Sequence, residues 1–468
     1  TPKTSSAASD VYKRQLPDLP PDLQFLRIIT RLAIDTMTLY ADRTFKIDTE
    51  NAFKVGPHIV RVEKERSPVV KLNLGEPDFP VPVHIKDEIK RQLDLDNTHY
   101  CDPQGLIGLR EAIARQVTET RGFEVGPQQV VVFPGGKPPI GLAQQVYCNP
   151  GDEVIYPSPG FPIYESFIRY VDAIPVPLHL DESSDFTFSP EQLSELITSK
   201  TKLIYLNFPS NPTGGVATRE QLKAIAEVIE ERCSKDVRVY SDEIYENILF
   251  DDQEHHSIAS MPGMASRSII ASGFSKTYAW TGGRIGYAVF PNSEEAEIFK
   301  NLNINYFSCV PPYNQEAAKV ALESPLSKTA VGEMVQTFEQ RRNEIWEALN
   351  KVEGISCRKP GGAFYLFPNI SEVCSNLGLM EFHEGLPEAE KKETSPAGFF
   401  QMFALYEHQV AVLDRRSFGS LGSEGKHYLR LSTASEIGVL REGVRRLEEA
   451  SKNQAGLQSF LQNRPDLQ

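Results

Sequence analysis

The chain has 468 residues, 40% of them hydrophobic, which is enough to bury a large core and predicts two domains. A net charge of −14 without a basic run disfavours a nucleic-acid partner, and no apolar stretch is long enough to predict a membrane span. Six scattered cysteines without a Cys-x-x-Cys pair favour a reduced, cytoplasmic protein over a disulfide or zinc framework. We expect no metal site, and the histidine pair His255-His256 is expected to be solvated.

The N-terminal region is expected to lie outside the main fold. Residues 1–15 are polar and aperiodic, so we interpret them as a tag or processing remnant, with organellar targeting left open. Within a helical extension at residues 16–57, apolar spacing predicts a helix from Pro21 to about Arg43. This helix is expected to pack on the body of the protein or on a partner subunit.

The next segments introduce the first candidate anion site. Residues 58–85, assigned to the small domain, contain a predicted strand at 69–74, and a loop at 99–105 precedes a helix around Leu109–Val117. A buried strand, Gln129–Phe133, then ends in the turn 135–137, and Pro138 can begin the following helix. Free backbone N–H groups at such a turn can bind a phosphate, although a plain tight turn is the alternative.

A regular alternation of strands and helices predicts an α/β domain with a mainly parallel central sheet over residues 86–332. Its helix Glu220–Cys233 separates two strands and implies a parallel crossover. The predicted strands are Val154–Tyr156, Leu203–Phe208, Val237–Ser241 and Ile269–Ala271.

Polar side chains follow three of these strands. Asn211, Asp242 with Tyr245, and Lys276 are separated by 31 and 34 positions, the spacing of successive strand–helix units. Ligands of parallel sheets bind at the carboxyl ends of the strands, so we expect these side chains to share one crevice.

The stretch 272–287 adds the chemistry. Lys276 lies at a strand end among small residues, where an amine can lose its proton and form an imine with an aldehyde. Arg284 follows in a glycine-rich turn, where a guanidinium can bind a phosphate through two N–H groups. Pyridoxal 5'-phosphate requires both groups, and a surface Ser-Lys turn with a structural arginine is the alternative.

The C-terminal part predicts a smaller α+β domain over residues 333–452. A long helix is expected at Glu333–Val352 and a closing helix at Gly438–Ser451. Strands are expected at 362–367 and 427–432, with a surface insertion at 375–397 between them. The tail, 453–468, is polar and is expected to fray.

Several motifs together make the chain resemble the class I, fold-type I aminotransferases that depend on pyridoxal phosphate, the aspartate aminotransferase-like group. The resemblance runs from about residue 58 to 450. Its motifs are LNLGEPDF, YCDPQG, GGK, NFPSNPTGG, SDEIY, SGFSKTYAWTGGRIGY, GGAFYLFP and YLRLS.

The resemblance implies a role for each strand-end residue. Lys276 would form the Schiff base and shuttle the substrate Cα proton, and Asp242 would pair with the pyridinium nitrogen. Tyr245 and Asn211 would hydrogen-bond the ring oxygen, and Phe161 would stack on the cofactor. From the residues alone, Asp242 could instead cap a helix, Asn211 could be a turn residue, and both aromatic rings could be core.

The resemblance also implies the phosphate and substrate contacts. The phosphate would take the side chains of Arg284 and Ser275 and the partner subunit's Tyr100, which implies a homodimer with shared active sites. Arg430 would bind the substrate α-carboxylate, with a surface strand arginine as the alternative. The remaining implied contacts are the backbone at Gly135, Gly136 and Lys137 for the phosphate, and Gly75, Asn211 and Lys137 for the substrate.

Two departures from the family pattern bear on these roles. The family has serine where Gly273 stands, so one phosphate hydroxyl is missing or is supplied by Ser272. A loop at the substrate entrance carries Arg415 and Arg416, which could contact a substrate acid group or form a solvated charge cluster.

These features predict an aminotransferase with a ping-pong mechanism that uses 2-oxoglutarate or a similar 2-oxo acid. Lys137 points to an acidic amino donor such as aspartate, and aromatic donors remain open. A β-lyase or decarboxylase on the same fold is the main alternative. An aminotransferase-like transcription regulator is disfavoured, because no basic DNA-binding region precedes the fold.

Overall fold

The computed structural model describes residues 39–48, 50–66 and 68–463. The segment 1–15 and most of the helix predicted from Pro21 lie outside these residues. Where the description begins, Asp42–Phe45 form a single 3₁₀ turn.

A seven-stranded sheet forms the centre of the molecule. Its spatial order is β2-β8-β7-β6-β5-β3-β4; β8 runs antiparallel to both of its neighbours, and all other pairs are parallel. The mainly parallel sheet predicted from the sequence is therefore confirmed. The strands of the described residues are β1 Val70–Lys71, β2 Val130–Phe133, β3 Glu153–Ser158, β4 Ile174–His179, β5 Thr201–Asn207, β6 Arg238–Asp242, β7 Ser268–Gly273, β8 Gly286–Val289, β9 Tyr365–Leu366, β10 Val410–Ala411, β11 Leu413–Asp414 and β12 Leu429–Ser432.

Helices cover the sheet and build the rest of the molecule. In the described residues they are α1 Asn51–Lys54, α2 Gly56–Glu65, α3 Val83–Asp94, α4 Ile107–Arg121, α5 Pro138–Tyr147, α6 Ile163–Tyr170, α7 Pro190–Leu196, α8 Arg219–Arg232, α9 Phe274–Thr277, α10 Ser293–Phe307, α11 Pro312–Glu323, α12 Pro325–Leu349, α13 Ser371–Asn376, α14 Leu379–Glu384, α15 Glu388–Lys391, α16 Pro396–His408, α17 Ile437–Lys452 and α18 Gln454–Asn463. None of these helices combines the length and apolar character needed to cross a membrane.

The sheet is buried on both faces because its side chains alternate between two layers of helices. In β2, Val130 and Val132 pack with residues of α4 and α11, whereas Val131 and Phe133 pack with α5 and α10. This alternation is the period of two expected of an extended chain. Since both faces are covered, the ends of the strands are where a ligand can reach the sheet.

A second sheet lies in the C-terminal part of the chain. Strands β11, β12 and β9 form it, and the separate pair β1–β10 ties residues 70–71 to the same region. Two predicted strands are shorter than expected. After Lys71 the chain leaves the ladder, and before β9 the positive φ of Ala363 (57°) interrupts the extended backbone.

The expected fraying of the tail is wrong for residues 454–463. They form α18, and Leu457 and Phe460 are buried in the main hydrophobic cluster. Phe460 lies 5.7 Å from Phe403, between ring centroids. The tail looked polar because few side chains of the helix pack against the core: Leu457 and Phe460 are buried, and Leu461 is partly buried.

The expected surface insertion, 375–397, also contributes to the core at its beginning. Leu377 and Leu379 are buried in the same cluster as Phe399 of α16. The exposed part of the segment is the region around α15, none of whose residues is buried.

Candidate active site

The polar residues predicted at the strand ends do lie at one edge of the sheet. Asn207, the last residue of β5, is in register with Asp242, which ends β6 and pairs with Ala271 of β7. Asn211 follows β5 closely, and its backbone N–H donates to the Asn207 side chain at 2.9 Å. Lys276 lies in α9, directly after β7.

Lys276 is a largely buried lysine, and no carboxylate of the described residues forms an ion pair with it. Its Nζ donates to the backbone carbonyl of Gly75 at 2.6 Å. Burial lowers its pKa to about 8, against the opposing charges of Glu76 and Glu50. A neutral amine is therefore far more abundant near pH 7–8 than for an exposed lysine, as a nucleophile or proton carrier requires.

Asp242 is a buried carboxylate that forms no ion pair with any lysine or arginine of the described residues. Tyr164 donates to its Oδ2 at 2.7 Å, and the Ile244 N–H lies 3.4 Å from its Oδ1. Burial raises its pKa to about 6. No helix follows Asp242, so the alternative role as a helix cap is wrong.

The sequence did not predict that Tyr164 belongs to the site. It lies in α6, and its ring stacks on Tyr205 with centroids 4.7 Å apart. The sequence signal was the position of Tyr164 on the helix that follows Phe161, the predicted stacking residue. Phe161 itself is half-buried and contacts Tyr164 edge to face, with centroids 5.9 Å apart.

Arg430 is fully buried beside Asn211. Its Nη1 donates to Asn211 Oδ1 at 3.1 Å, and its Nη2 donates to the carbonyl of Asn73. Its guanidinium lies between the rings of Tyr365 and Phe418, at 4.5 and 4.8 Å from their centroids. The alternative of a surface arginine is therefore wrong.

One donor of Arg430 has no partner in the part of the chain that the structure describes. This donor is the buried Nε, so the group retains binding capacity for an anion. Tyr365, the second missed residue, also hydrogen-bonds Tyr245, with 2.7 Å between the hydroxyl oxygens.

Gly75 is required for the close packing of this region. A Cβ at Gly75 would lie 1.9 Å from the Tyr365 hydroxyl. Gly75 therefore lets its carbonyl reach Lys276 while the tyrosine stays in place.

The predicted phosphate residues form a second cluster. Gly135 has a φ of +101°, and a Cβ there would lie 2.2 Å from Arg284 Nη2. Gly136 follows, where a Cβ would lie 3.7 Å from Ile244 Cδ1, and Lys137 directly precedes α5. Arg284 donates to the carbonyls of Thr281 (2.8 Å) and Pro134 (3.1 Å), which hold its guanidinium beside the turn.

The neighbourhood of Gly273 explains the departure from the serine pattern. A Cβ at Gly273 would lie 3.0 Å from the Ile285 carbonyl oxygen, so the strand pair β7–β8 favours glycine. Ser272 Oγ donates to Glu246 Oε1 at 2.7 Å. Ser275 is buried in α9, next to Lys276.

The loop arginines are bound to the protein itself. Arg415 is fully buried, and it donates to the Gly419 carbonyl and to Ser158 Oγ, each at 2.8 Å. Arg416 donates to the Thr394 carbonyl at 3.0 Å. Arg415 is thus a structural residue of the loop, and the prediction that it belongs to a solvated charge cluster is wrong.

The expectation of a solvated His255 is also wrong. Its Nε2 is hydrogen-bonded to Glu243 Oε2 at 3.0 Å, beside Glu246. These three side chains are the only group of potential metal ligands among the described residues. The guanidinium of Arg121 bridges both carboxylates, and so supplies the positive charge there.

These groups fit pyridoxal phosphate. The buried amine of Lys276 suits the aldehyde, and the buried Asp242, without a cation, suits a pyridinium nitrogen. The turn at Gly135 and Gly136, with Arg284 against it, suits the phosphate.

Comparisons with known proteins agree with this geometry. Residues 67–447 match the family described as aminotransferase class I and II. An aspartate aminotransferase of Pyrococcus abyssi is 35% identical over 81% of this chain and 91% of its own length. An aromatic-amino-acid aminotransferase of Thermococcus litoralis is 34% identical over 82% of this chain and 92% of its own length.

A solved structure extends the similarity to three dimensions. The aspartate aminotransferase of Rhizobium meliloti superposes with a TM-score of 0.78 at 28% identity, covering 89% of this chain and 99% of its own. The chain therefore belongs to the aminotransferase class I and II family, and it is a pyridoxal-phosphate-dependent aminotransferase of fold type I.

Proposed function

We propose that this enzyme transfers the amino group of an acidic L-amino acid, with aspartate favoured, to a 2-oxo acid such as 2-oxoglutarate. The observation that carries the proposal is that two cations lie beside residues assigned to the cofactor: Arg430, with an unpartnered Nε, contacts Asn211, and Lys137 Nζ lies 5.7 Å from the centroid of Phe161. Two cations at one reaction centre suit a substrate with two carboxylates. A relative named for aspartate supports the acidic donor, and a relative named for aromatic amino acids makes aromatic donors the second candidate.

We assign the cofactor contacts to the residues already described. Lys276 would hold the aldehyde carbon, Asp242 the ring nitrogen, and Asn211 and Tyr245 the ring oxygen. Phe161 would cover one face of the ring. The phosphate would be held by Arg284, Ser275 and the backbone at Gly135, Gly136 and Lys137.

The chain's own residues carry out binding and proton transfer in this proposal. When bound, pyridoxal phosphate supplies an electron sink for the pair of electrons left as Cα loses its proton. Lys276 would accept that proton on Nζ and later donate it again. Its lowered pKa permits both the neutral and the protonated amine. Arg430 would bind the α-carboxylate with its unpartnered Nε and a second donor, which orients the Cα–H bond toward Lys276.

We infer that the enzyme is a homodimer with shared sites. Tyr100 is 89% exposed in this chain and is therefore free to enter a neighbouring site. The exposed Ile107, Tyr306 and Phe307 lie in the same region, because Asn303 donates to the carbonyl of Pro103 at 2.7 Å. A group of exposed apolar side chains in one region is typical of a protein–protein interface. We also propose a cytoplasmic location, from the scattered cysteines.

The test is the visible absorption spectrum of the purified enzyme while single amino acids are added. We expect the band of the lysine-linked cofactor to convert to that of the amine form with aspartate or glutamate. Addition of 2-oxoglutarate should then restore the first band, because the second half-reaction returns the amino group.

The Lys276→Ala variant serves as the control. It should show no lysine-linked band, since it lacks the amine that is assigned to the imine. Phenylalanine as the sole active donor would contradict the acidic substrate. Release of ammonia or carbon dioxide without the amine form would indicate a lyase or decarboxylase.

A further inference from the structure

A short strap of the chain lies beside the crevice. We define the strap as residues 45–48 and 50–54. The Asp48 N–H donates to Ser166 Oγ of α6 at 2.8 Å, and the Ser166 hydroxyl returns a bond to the Asp48 carbonyl at 2.9 Å. This exchange fixes the first half of the strap to the helices that cover the central sheet.

The second half of the strap is held by the C-terminal part of the fold. Asn51 Nδ2 donates to Ser417 Oγ at 3.1 Å, and Asn73 Nδ2 donates to the Ala52 carbonyl at 3.2 Å. Asn73 is also the residue whose carbonyl accepts from Arg430. Asn73 thus connects the strap to the substrate site.

Glu50 is the side chain that the strap presents to the crevice. It precedes α1, where an acidic side chain commonly caps the helix, but it makes no such bond. Its carboxylate instead forms an ion pair with Lys137, and Phe53 places its ring centroid 5.6 Å from Lys137 Nζ. The Glu50 side chain is 16% exposed, so the strap holds it in a defined position.

This ion pair lies in the same crevice as the reaction centre. The charge of Glu50 acts on Lys276 and on Arg430, raising the pKa of both groups against the effect of burial. Phe161, the ring assigned to the cofactor face, has its centroid 5.7 Å from Lys137 Nζ. Lys137 is the cation that we assign to the side-chain carboxylate of the substrate. The carboxylate of Glu50 already neutralises it.

We propose that Glu50 determines substrate specificity by occupying, on Lys137, the position of a substrate side-chain carboxylate. An acidic donor must displace Glu50 from Lys137, whereas a donor with an uncharged side chain leaves the ion pair intact. The strap therefore reduces the preference of the enzyme for acidic donors relative to aromatic donors. This inference rests on the proposed function, because it takes Lys137 as the group that binds the distal carboxylate.

The test compares the Glu50→Gln holoenzyme with the wild type. Glutamine keeps the size of the side chain and removes the charge, so Lys137 becomes available to the substrate. Glu50 then no longer competes with the substrate for Lys137. Because the pair is partly exposed, we expect KM for aspartate to fall about three- to tenfold, with kcat little changed. KM for phenylalanine should change by less than about twofold, because this donor does not need Lys137.

A matched control is available on the same strap. Asp48 pairs with Lys54 at 2.7 Å and is 68% exposed, so Asp48→Asn removes one acidic charge without touching Lys137. This variant should leave both KM values unchanged. An equal fall in KM for aspartate in both variants would overturn the proposal, because the effect would then be that of net charge alone.

A binding measurement separates this inference from the proposed function. Succinate, a dicarboxylate that cannot react, and butanoate, its monocarboxylate analogue, are titrated against both holoenzymes. Glu50→Gln should tighten succinate binding about three- to tenfold and leave butanoate unchanged. This outcome supports the role of Glu50 even if no amino acid donates its amino group. Unchanged or weaker succinate binding, or weaker binding of a cationic amino acid such as lysine, would overturn it.

Discussion

Lys276 and Asp242 are each held in an environment that disfavours their usual charge. Burial lowers the pKa of the lysine to about 8 and raises the pKa of the carboxyl to about 6. Such opposed shifts are costly in the unliganded protein, and they match the demands of an imine-forming amine and of a pyridinium partner. The site is thus arranged for its ligand at the expense of the stability of the unliganded chain.

The pKa of Asp242 gives a prediction at this scale. Because its folded pKa lies above its unfolded value, the folded state gains protons, and stability is lost as pH rises from about 4 through about 6. Asp242→Asn should therefore stabilise the cofactor-free protein at pH 8 by about 2–3 kcal/mol, at 1.36 kcal/mol per pKa unit. The advantage should disappear near pH 4. Thermal unfolding of both cofactor-free proteins across this pH range provides the measurement.

Added cofactor serves as the control for this prediction. It should stabilise the wild type more than the variant, because Asp242 favours the protonated ring. If the variant is no more stable than the wild type at pH 8, then burial of this carboxylate carries no cost.

Single residues also limited what the sequence could predict. Lys276 and Asp242 were recognised because they lie at the ends of predicted strands, and Arg430 was recognised through the resemblance of its motif, YLRLS. Tyr164 and Tyr365 were not, because a buried tyrosine in a helix or strand has no local signal that distinguishes a hydrogen-bonded site residue from a core aromatic. Their roles depend on partners 78 and 120 residues away in the chain.

At the scale of elements, the terminal helix α18 is the clearest gain from the structure. Its two buried side chains, Leu457 and Phe460, anchor it to α16 and close the main hydrophobic cluster. A hydrophobic contact of this kind makes a C-terminal segment part of the cooperative fold rather than a mobile tail.

We expect Phe460→Ala to destabilise the protein by about 3 kcal/mol, the usual loss for removing a buried phenylalanine ring. Urea unfolding followed by tryptophan fluorescence measures this change. Gln458→Ala, on the exposed side of the same helix, is the matched control and should have little effect. Equal stability of the two variants would mean that α18 does not contribute to the fold.

Shared sites give a prediction at the scale of the whole molecule. Tyr100→Ala and Lys276→Ala chains should each be strongly impaired, because each lacks one part of every site. Random assortment of the two chains should restore about a quarter of the sites, since half of the dimers combine both chains and each then holds one intact site. Activity after mixing and dissociation–reassociation measures this recovery.

The matched control mixes two variants that each lack a residue of the chain's own site. Lys276→Ala chains combined with Arg284→Ala chains should regain nothing, because both residues are assigned to one chain's own site. No recovery with the Tyr100 pair would mean that each chain builds its site alone.

The sequence alone determined the central architecture and the reaction class. Alternating strands and helices define a parallel sheet, and its periodicity fixes which strand ends carry Asn211, Asp242 and Lys276. These are local properties, since strand spacing and motif residues are readable within a few dozen positions.

Only the tertiary structure decided which groups meet across the crevice. The pairing of Glu50 with Lys137, the stacking of Arg430 between Tyr365 and Phe418, and the burial of Arg415 each join segments far apart in the chain. Such contacts, and the pKa values that burial produces, depend on how the elements pack around the sheet. No pattern within any one of those segments encodes them.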